Sequence, residues 1–257
     1  MNNIHPTAII SSNAKLGENI EIAPFVLIHD DVEIGDGCYI GPHVTVNNGA
    51  RIGNGVKIYQ GASISHVPQH KKYNNEPTLC IIGDNSTIHE FASIHRGADT
   101  GKTELGKNVL VMAYAHVAHD CRIADHVILS NAVQLAGFTQ IDEWAIIGGS
   151  VPVHQFTRIG RHAMIGDGYK VGRDVLPYTL AAGEPLSYYG LNNVGLKRRG
   201  FSEEQINSIK KVYSIVYDPA LNVSQAKDKL KDEMPGNEYA LEIIDFINNS
   251  KRGIITR

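Results

Sequence analysis

Phe and Trp are scarce in this chain of 257 residues, which contains 6 Phe and 1 Trp against 25 Gly. A core cannot be built around large rings from this composition, so we expect layers of branched aliphatic side chains. The formal net charge of −3 excludes the strongly basic face of a general nucleic-acid-binding protein. No nucleic-acid partner is therefore expected.

Cysteine and long apolar runs are also scarce. Cys38, Cys80 and Cys121 are scattered and match no zinc-ligand spacing, which favours a reducing compartment. No stretch of about 18 apolar residues is present, so we expect no transmembrane segment. The N-terminal residues lack the charged and apolar regions of a secretory signal. We therefore expect a cytoplasmic protein.

Apolar residues recur at every sixth position along most of the chain. They form three unbroken runs, Ile4–Ile64, Ile82–Ile94 and Leu105–Val171. A period of six fits neither a helix nor a flat sheet. It is typical of hexapeptide repeats, three of which close one coil of a parallel β-helix. The pattern predicts a mainly β fold, with a parallel β-helix over residues 1–186.

Two polar segments, near 66–78 and 96–103, interrupt the repeat and are predicted to be outward loops. A coil of 18 residues places residue i beside residue i+18, so neighbours can be assigned from sequence numbers. A different pattern follows the repeats: Ser202 and Gln205 form a capping box before an amphipathic run. We predict a small helical domain over 187–257 that covers the open end of the β-helix.

The segment 115–121 contains two histidines, His116 and His119, that lie off the inward-facing stripe. The 18-residue rule places His119 beside Gly137. A histidine next to an uncovered glycine N–H resembles a general base next to an oxyanion donor. Asp120 is placed to orient the imidazole. The alternative, two solvated histidines on a wall, stays open from this segment alone.

Several motifs together carry a resemblance to a known family. They are His95-Arg96-Gly97, Ala115-His116-Val117-Ala118-His119-Asp120-Cys121, Leu135-Ala136-Gly137, Val153-His154-Gln155-Phe156 and Gly195-Leu196-Lys197-Arg198-Arg199-Gly200-Phe201. With these motifs the chain resembles, over essentially its whole length, the UDP-N-acetylglucosamine acyltransferases of lipid A biosynthesis. The resemblance implies a left-handed β-helix and a homotrimer with its sites between subunits. It implies no permanent cofactor and no metal; acyl-coenzyme A or an acyl carrier protein would be the co-substrate.

The same resemblance assigns roles to individual residues. It makes His119 the general base, Asp120 its orienting partner and the Gly137 N–H the oxyanion donor. The residues that the resemblance places at the substrates are His116, His70, Lys72, Phe138, His154, Gln155, Asp167, Asn192, Arg198 and Arg199. Within this set, Gln155 and Arg198 are expected to hold the nucleotide diphosphate with paired donors.

Four positions depart from the family pattern. His70 replaces an Asp, Phe138 replaces a His, and Val194 replaces a Glu. Asp167 stands where long-chain members have glycine, and an unpaired carboxylate against hydrocarbon is costly. With Tyr169, it is expected to shorten or polarise the acyl groove, unless it points away. The departures predict the same chemistry with an altered acceptor and a shorter acyl group.

Four functions are compatible with these observations. The first is N-acylation of a nucleotide-linked amino sugar for a cell-surface polysaccharide, with a short acyl or 3-hydroxyacyl thioester as donor. The alternative is O-acylation of UDP-N-acetylglucosamine from an acyl carrier protein in lipid A biosynthesis. A metal hydratase of the γ-carbonic-anhydrase type, with ligands from His116, His119 and His95 or His154, ranks lower. A purely structural solenoid would need neither the polar loops nor the histidines.

Overall fold

The structure is a computed structural model that describes residues 1–257 as a three-sided parallel β-helix followed by four helices. Face A consists of Asn3–Ile4, Glu21–Ile22, Tyr39–Ile40, Lys57–Ile58, Thr87–Ile88, Leu110–Val111, Ile128–Leu129, Ile146–Ile147, Met164–Ile165, Thr179–Ala182 and Ser187–Leu191. Face B consists of Ile9–Ile10, Leu27–Ile28, Thr45–Val46, Ser63–His66, Ser93–His95, His116–Val117, Gln134–Leu135 and Pro152–Val153. Face C consists of Lys15–Leu16, Val32–Ile34, Ala50–Ile52, Leu79–Ile82, Lys102–Leu105, Arg122–Ile123, Gln140–Ile141 and Arg158–Ile159.

The six-residue grid sets this register. Ile22 pairs with Ile40 and Ile40 with Ile58, so equivalent side chains of successive coils stack inside the prism. Ile58 pairs with Ile88, which keeps the register across the first interruption. The stacked aliphatic side chains form one continuous core of 45 buried residues. The predicted parallel β-helix is confirmed.

Both interruptions leave the prism at the same edge. The residues between Ser63–His66 and Leu79–Ile82 form the first loop, and those between Ser93–His95 and Lys102–Leu105 form the second. Each loop therefore connects face B to face C, and we call the line of these turns the B–C edge. The two excursions place polar segments at one edge and leave the other two regular.

The C-terminal region contains helices α1 (Asn193–Arg198), α2 (Glu203–Val216), α3 (Val223–Glu233) and α4 (Glu238–Asn248). The predicted capping box is present at α2, where the Ser202 hydroxyl accepts from the Gln205 N–H at 3.1 Å. The helices share a second core with Leu176 and Tyr178, which follow the last coils. They therefore pack on the end of the β-helix.

The expected boundary at 186/187 separates two strands that are paired with each other. Ser187–Leu191 runs antiparallel to Thr179–Ala182, which continues face A. One sheet therefore joins the β-helix to the helical region, with no linker between them. None of the four helices combines the length and apolar character needed to cross a membrane.

Candidate active site

His119 lies on the B–C edge, directly beside Asp120. Its Nδ1 is 2.7 Å from the Asp120 Oδ2, and the two residues are only 8% and 7% exposed. Because the carboxylate accepts a hydrogen bond from Nδ1–H, the other ring nitrogen, Nε2, is left as the basic atom. The arrangement is that of a general base held in one tautomer by a buried carboxylate.

The second loop holds the Asp120 carboxylate in place. Oδ1 accepts from the N–H of Ala98 at 3.1 Å and from the N–H and hydroxyl of Thr100 at 2.8 and 2.5 Å. Burial by itself raises the pKa of Asp120, but the hydrogen bonds from Thr100 and His119 outweigh it and hold that pKa below its usual range. Asp120 therefore stays ionised beside the imidazole.

The main-chain N–H of Gly137 is left without an acceptor next to this base. At other turns an Asp or Asn of the following coil accepts from the equivalent N–H: Asp36 from Glu18 at 2.7 Å and Asn54 from Asp36 at 2.8 Å. The residue below Gly137 is Gln155, which makes no such bond. A buried N–H without a partner is rare in proteins and is placed to bind a ligand oxygen.

Glycine is required at this position by the approach of the imidazole. A Cβ atom on residue 137 would lie 2.7 Å from Cε1 and 2.9 Å from Nε2 of His119. The histidine therefore packs directly against the backbone of Gly137. The expected neighbour relation between His119 and Gly137 is confirmed.

His116 belongs to a second cluster on face B. It pairs in register with Gln134, as expected, and its Nδ1 is 2.8 Å from the Ser93 hydroxyl. Burial, followed by the charge of His119, lowers the pKa of His116. The ring of His95 lies edge-on to His116 at 4.9 Å, and burial lowers the pKa of His95 to about 4. These histidines are therefore neutral hydrogen-bonding groups at neutral pH.

The first loop folds back over the base. The ring of His70 lies 4.7 Å from the ring of His119, and its Nδ1 is 3.9 Å from the Asp99 carboxylate of the second loop. That nitrogen is buried and has no hydrogen-bond partner. Lys72 is exposed and makes no ion pair. The structure therefore places His70 next to His119, whereas Lys72 is exposed to solvent and unpaired.

Aromatic side chains form one wall beside the base. Phe138 lies edge-on to His119 at 5.3 Å and stacks on Phe156 at 4.6 Å. On the other side, His116, His119 and Gly137 line a concave cavity of about 390 Å³ on face B. The imidazole and the glycine therefore border the same cavity.

The next coil contributes His154 and Gln155. An Nη atom of Arg252, from the C-terminal tail, lies 2.5 Å from the Nδ1 of His154. Gln155 is exposed and directly below Gly137. His154 thus already has a side-chain partner, whereas the amide of Gln155 is free.

The arginine motif lies at a different edge. The Arg199 guanidinium is 5.4 Å from the ring centroid of Trp144, at the turns that connect face C to face A. One of its nitrogens is buried without a partner, and burial lowers its pKa. Arg198 is exposed and unpaired. Within one subunit, the structure does not bring Arg198 and Arg199 to His119.

Two further expected site residues have contacts of their own. Asn192 is 4% exposed and caps α1, accepting from Gly195 N–H at 3.1 Å and donating to His162 O at 3.0 Å. Asp167 accepts from the Gly149 N–H at 2.6 Å. The expected unpaired carboxylate is therefore wrong, because Asp167 caps the preceding coil. The nucleotide contact of Asn192 and the groove position of Asp167 stay predictions.

Sequence reasoning missed the residues that support the site. Thr100 and Ala98 hold Asp120, and Ser93 holds His116. Ser93 pairs in register with His116, so continuing the column rule across the loop would have found it. Nothing in the spacing points to Thr100, because it lies outside the repeat.

Comparison with known families agrees with this architecture. The family model described as UDP-N-acetylglucosamine O-acyltransferase, domain 2, matches residues 174–255. The model for bacterial transferase hexapeptide repeats matches residues 13–48, 31–66 and 102–137. The two models cover the helical region and much of the β-helix.

Similar proteins cover the whole chain. An acyl-[acyl-carrier-protein]–UDP-N-acetylglucosamine O-acyltransferase of Thermodesulfovibrio yellowstonii is 46% identical, over 99% of both chains. The one from Halorhodospira halophila is 42% identical, over 99% of this chain and all of its own.

Solved structures of this enzyme class also match. The UDP-N-acetylglucosamine acyltransferase of Bacteroides fragilis has a TM-score of 0.96 at 45% identity, over 98% of this chain and 99% of that chain. The enzyme of Francisella novicida has a TM-score of 0.94 at 38% identity, over 99% and 94%. The expected left-handed β-helix and the acyltransferase class are confirmed. The chain belongs to the family of UDP-N-acetylglucosamine O-acyltransferases.

Proposed function

We propose that this protein transfers an acyl group from an acyl carrier protein to a hydroxyl of UDP-N-acetylglucosamine, as in lipid A biosynthesis. The observation that carries the proposal is the uncapped Gly137 N–H beneath a histidine that Asp120 fixes in one tautomer. Relatives covering the full chain are named for this O-acyl transfer. Their names favour it over the N-acylation that the four departures had led us to expect.

The geometry supports a base-catalysed acyl transfer. His119 Nε2 takes the proton of the acceptor hydroxyl as its oxygen attacks the thioester carbonyl. The negative charge that develops on the carbonyl oxygen is stabilised by the Gly137 N–H. Collapse of the tetrahedral intermediate breaks the C–S bond, and the imidazolium returns the proton to the departing thiolate. Asp120 stabilises the charged imidazole throughout.

The hydratase alternative lacks a suitable ligand set. No group of three or more His, Cys, Asp or Glu side chains is arranged to hold a metal ion. His119 Nδ1 is engaged by Asp120 and His116 Nδ1 by Ser93, so neither of these two nitrogens is free to bind a metal. These contacts support an acid–base role for the histidines over a metal-binding one.

We also propose a homotrimer whose sites lie between subunits. The base is at the B–C edge and the arginines are at another edge, so the site is incomplete in one subunit. Exposed aromatic side chains, Phe25, Phe91 and Tyr114, lie along the edge between faces A and B at 58%, 47% and 61% exposure. Apolar residues aligned in this way are typical of a buried subunit contact. A neighbour would supply Arg198 to the diphosphate.

The test is a matrix of two donors and two acceptors. The purified protein is incubated with 3-hydroxyacyl groups of several lengths on carrier protein or coenzyme A. The acceptor is UDP-N-acetylglucosamine or a nucleotide sugar with a free amine. Ester formation on UDP-N-acetylglucosamine from the carrier protein is expected to be fastest. Faster amide formation on the amino sugar would overturn the proposal.

His119→Ala provides the mechanistic check on that assay. Loss of the base should reduce kcat by about 10²–10⁴-fold, with circular dichroism and oligomeric mass unchanged. His5→Ala, an exposed histidine in the first coil, is the matched control and should retain full activity. Substantial turnover by His119→Ala would exclude it as the base.

A further inference from the structure

We infer that Arg96 is a positioning residue of the acceptor site, which fastens the first loop over the base. This inference rests on the proposed function for its kinetic readout but on the structure for its geometry. Arg96 follows His95 at the start of the second loop, and it is half-buried with no carboxylate partner. An arginine that makes no ion pair and is partly removed from water must be held by other acceptors.

The Arg96 guanidinium is held by main-chain oxygens on both sides of the first loop's origin. Nη1 donates to Asn48 O at 3.2 Å and to Ser65 O at 3.3 Å. The Arg96 N–H also donates to His66 O at 3.2 Å. These bonds fix Arg96 on the wall of the prism, at the point where the first loop leaves it.

The Nε side of the guanidinium contacts Tyr73 of the first loop. Nε donates to the Tyr73 hydroxyl at 3.1 Å, and the guanidinium carbon lies 5.7 Å from the centroid of that ring. The Tyr73 hydroxyl donates onward to Glu76 O at 2.7 Å, and the Tyr73 N–H donates to His70 O at 3.1 Å. Arg96 is therefore the link between the wall and the turn that carries His70.

His70 is the residue of the first loop that contacts His119. Its ring lies 4.7 Å from that of His119, and its buried Nδ1 has no hydrogen-bond partner. A polar atom in that state, next to the base, is placed to meet the acceptor sugar. Release of Tyr73 would let His70 leave this position, although neither Arg96 nor Tyr73 touches His119.

The first measurement is hydrogen–deuterium exchange of the free protein, which needs no substrate. Arg96→Gln should accelerate exchange of the amides in residues 67–77 and leave face B and face C unchanged. Arg51→Gln is the matched control: Arg51 is also half-buried, bonds to Asp31 at 2.6 Å and does not touch the loop. Unchanged exchange of the loop in Arg96→Gln would overturn the inference.

The second measurement separates KM from kcat. Arg96→Gln should raise the KM for the nucleotide sugar about tenfold, equivalent to about 1.4 kcal/mol, and leave the KM for the acyl donor unchanged. If Arg96 acts through His70, the double variant with His70→Ala should be no worse than the poorer single variant. Fully additive effects, or equal effects on both substrates, would contradict a positioning role.

Tyr73→Phe is a second variant that tests the same link if Arg96→Gln does not fold. It removes the hydroxyl that accepts from Arg96 Nε and donates to Glu76 O, so faster loop exchange and a smaller rise in the same KM are expected. Arg96→Lys, which retains charge but not the divergent donors, should rescue only partly. If the wild-type protein acylates no nucleotide sugar, the proposed function fails, but the exchange result still decides the role of Arg96.

Discussion

At the scale of single residues, the site depends on what is missing beside Gly137. Several other turns use Asp or Asn to cap the equivalent N–H, as Asp125 caps Lys107 at 2.8 Å. Gln155 does not cap Gly137, and glycine leaves room for the imidazole of His119. The same backbone that builds the coil therefore leaves a free N–H at the position proposed for the oxyanion donor.

Gly137→Ala should inactivate the protein without unfolding it. The new methyl group would lie 2.7 Å from the Cε1 atom of His119, so the ring must move away from residue 137. We expect kcat to fall about 100-fold, since base and oxyanion donor are separated. Steady-state kinetics and a thermal melt are the measurements.

Gly172→Ala is the control for that change. A Cβ at residue 172 meets no atom within 4 Å, so the substitution adds the same methyl group without a contact. Its activity should match the wild type. Retained activity in Gly137→Ala would show that the imidazole does not need to lie over the glycine.

At the scale of structural elements, the turns between coils are linked by side chains that reach the previous coil. Asp167 belongs to this ladder, because its carboxylate accepts from the Gly149 N–H at 2.6 Å. Its contribution to coil stacking is separate from any contact with an acyl chain. A substitution of Asp167 can therefore change both the thermal stability and the acyl-chain preference, and different replacements separate the two effects.

Asp167→Gly should lower the melting temperature by about 2–4 °C, the consequence of losing about 1 kcal/mol with the cap. If Asp167 also borders the acyl groove, the same variant should accept longer acyl chains. Asp167→Asn keeps an acceptor oxygen but removes the charge. It should therefore retain the melting temperature while shifting chain preference. An unchanged chain preference in both variants would place Asp167 outside the groove.

At the scale of the whole molecule, the six-residue period was sufficient to predict the coil, its register and the neighbours of His119. A strict repeat converts sequence distance into spatial distance, which is why His116 and Gln134 pair as expected. The helical region offered only local signals, such as Ser202 and its capping partner. Side-chain contacts outside the repeat, such as the hydrogen bond from Thr100 to Asp120, cannot be derived from such a rule. They were visible only in three dimensions.

The stability of the molecule should decrease as pH falls below neutrality. Burial, followed by the charges of Arg199 and Arg161, lowers the pKa of His162 to about 4, and His95 behaves similarly. In the unfolded chain, these two histidines bind protons near pH 6.5, whereas in the folded protein they do so only near pH 4. Their contribution to the free energy of unfolding is therefore complete above pH 6.5 and is lost between pH 6.5 and 4. Melting temperatures measured across this range should fall. His162→Phe, which keeps a ring against Tyr178, should give a flatter profile.

If the protein is the homotrimer proposed above, mixed trimers test whether one site is built from two subunits. His119→Ala and Arg198→Ala should each be nearly inactive at low nucleotide-sugar concentration. If the base and the arginine of a site come from neighbouring subunits, a trimer containing both variants has one site with both residues intact. Random mixing from equal amounts should restore about one quarter of the sites. Mixing the folded trimers without exchange of subunits is the control and should restore nothing. Absence of recovery in verified mixed trimers would mean that each subunit carries a complete site, and that the arginines at the other edge act elsewhere.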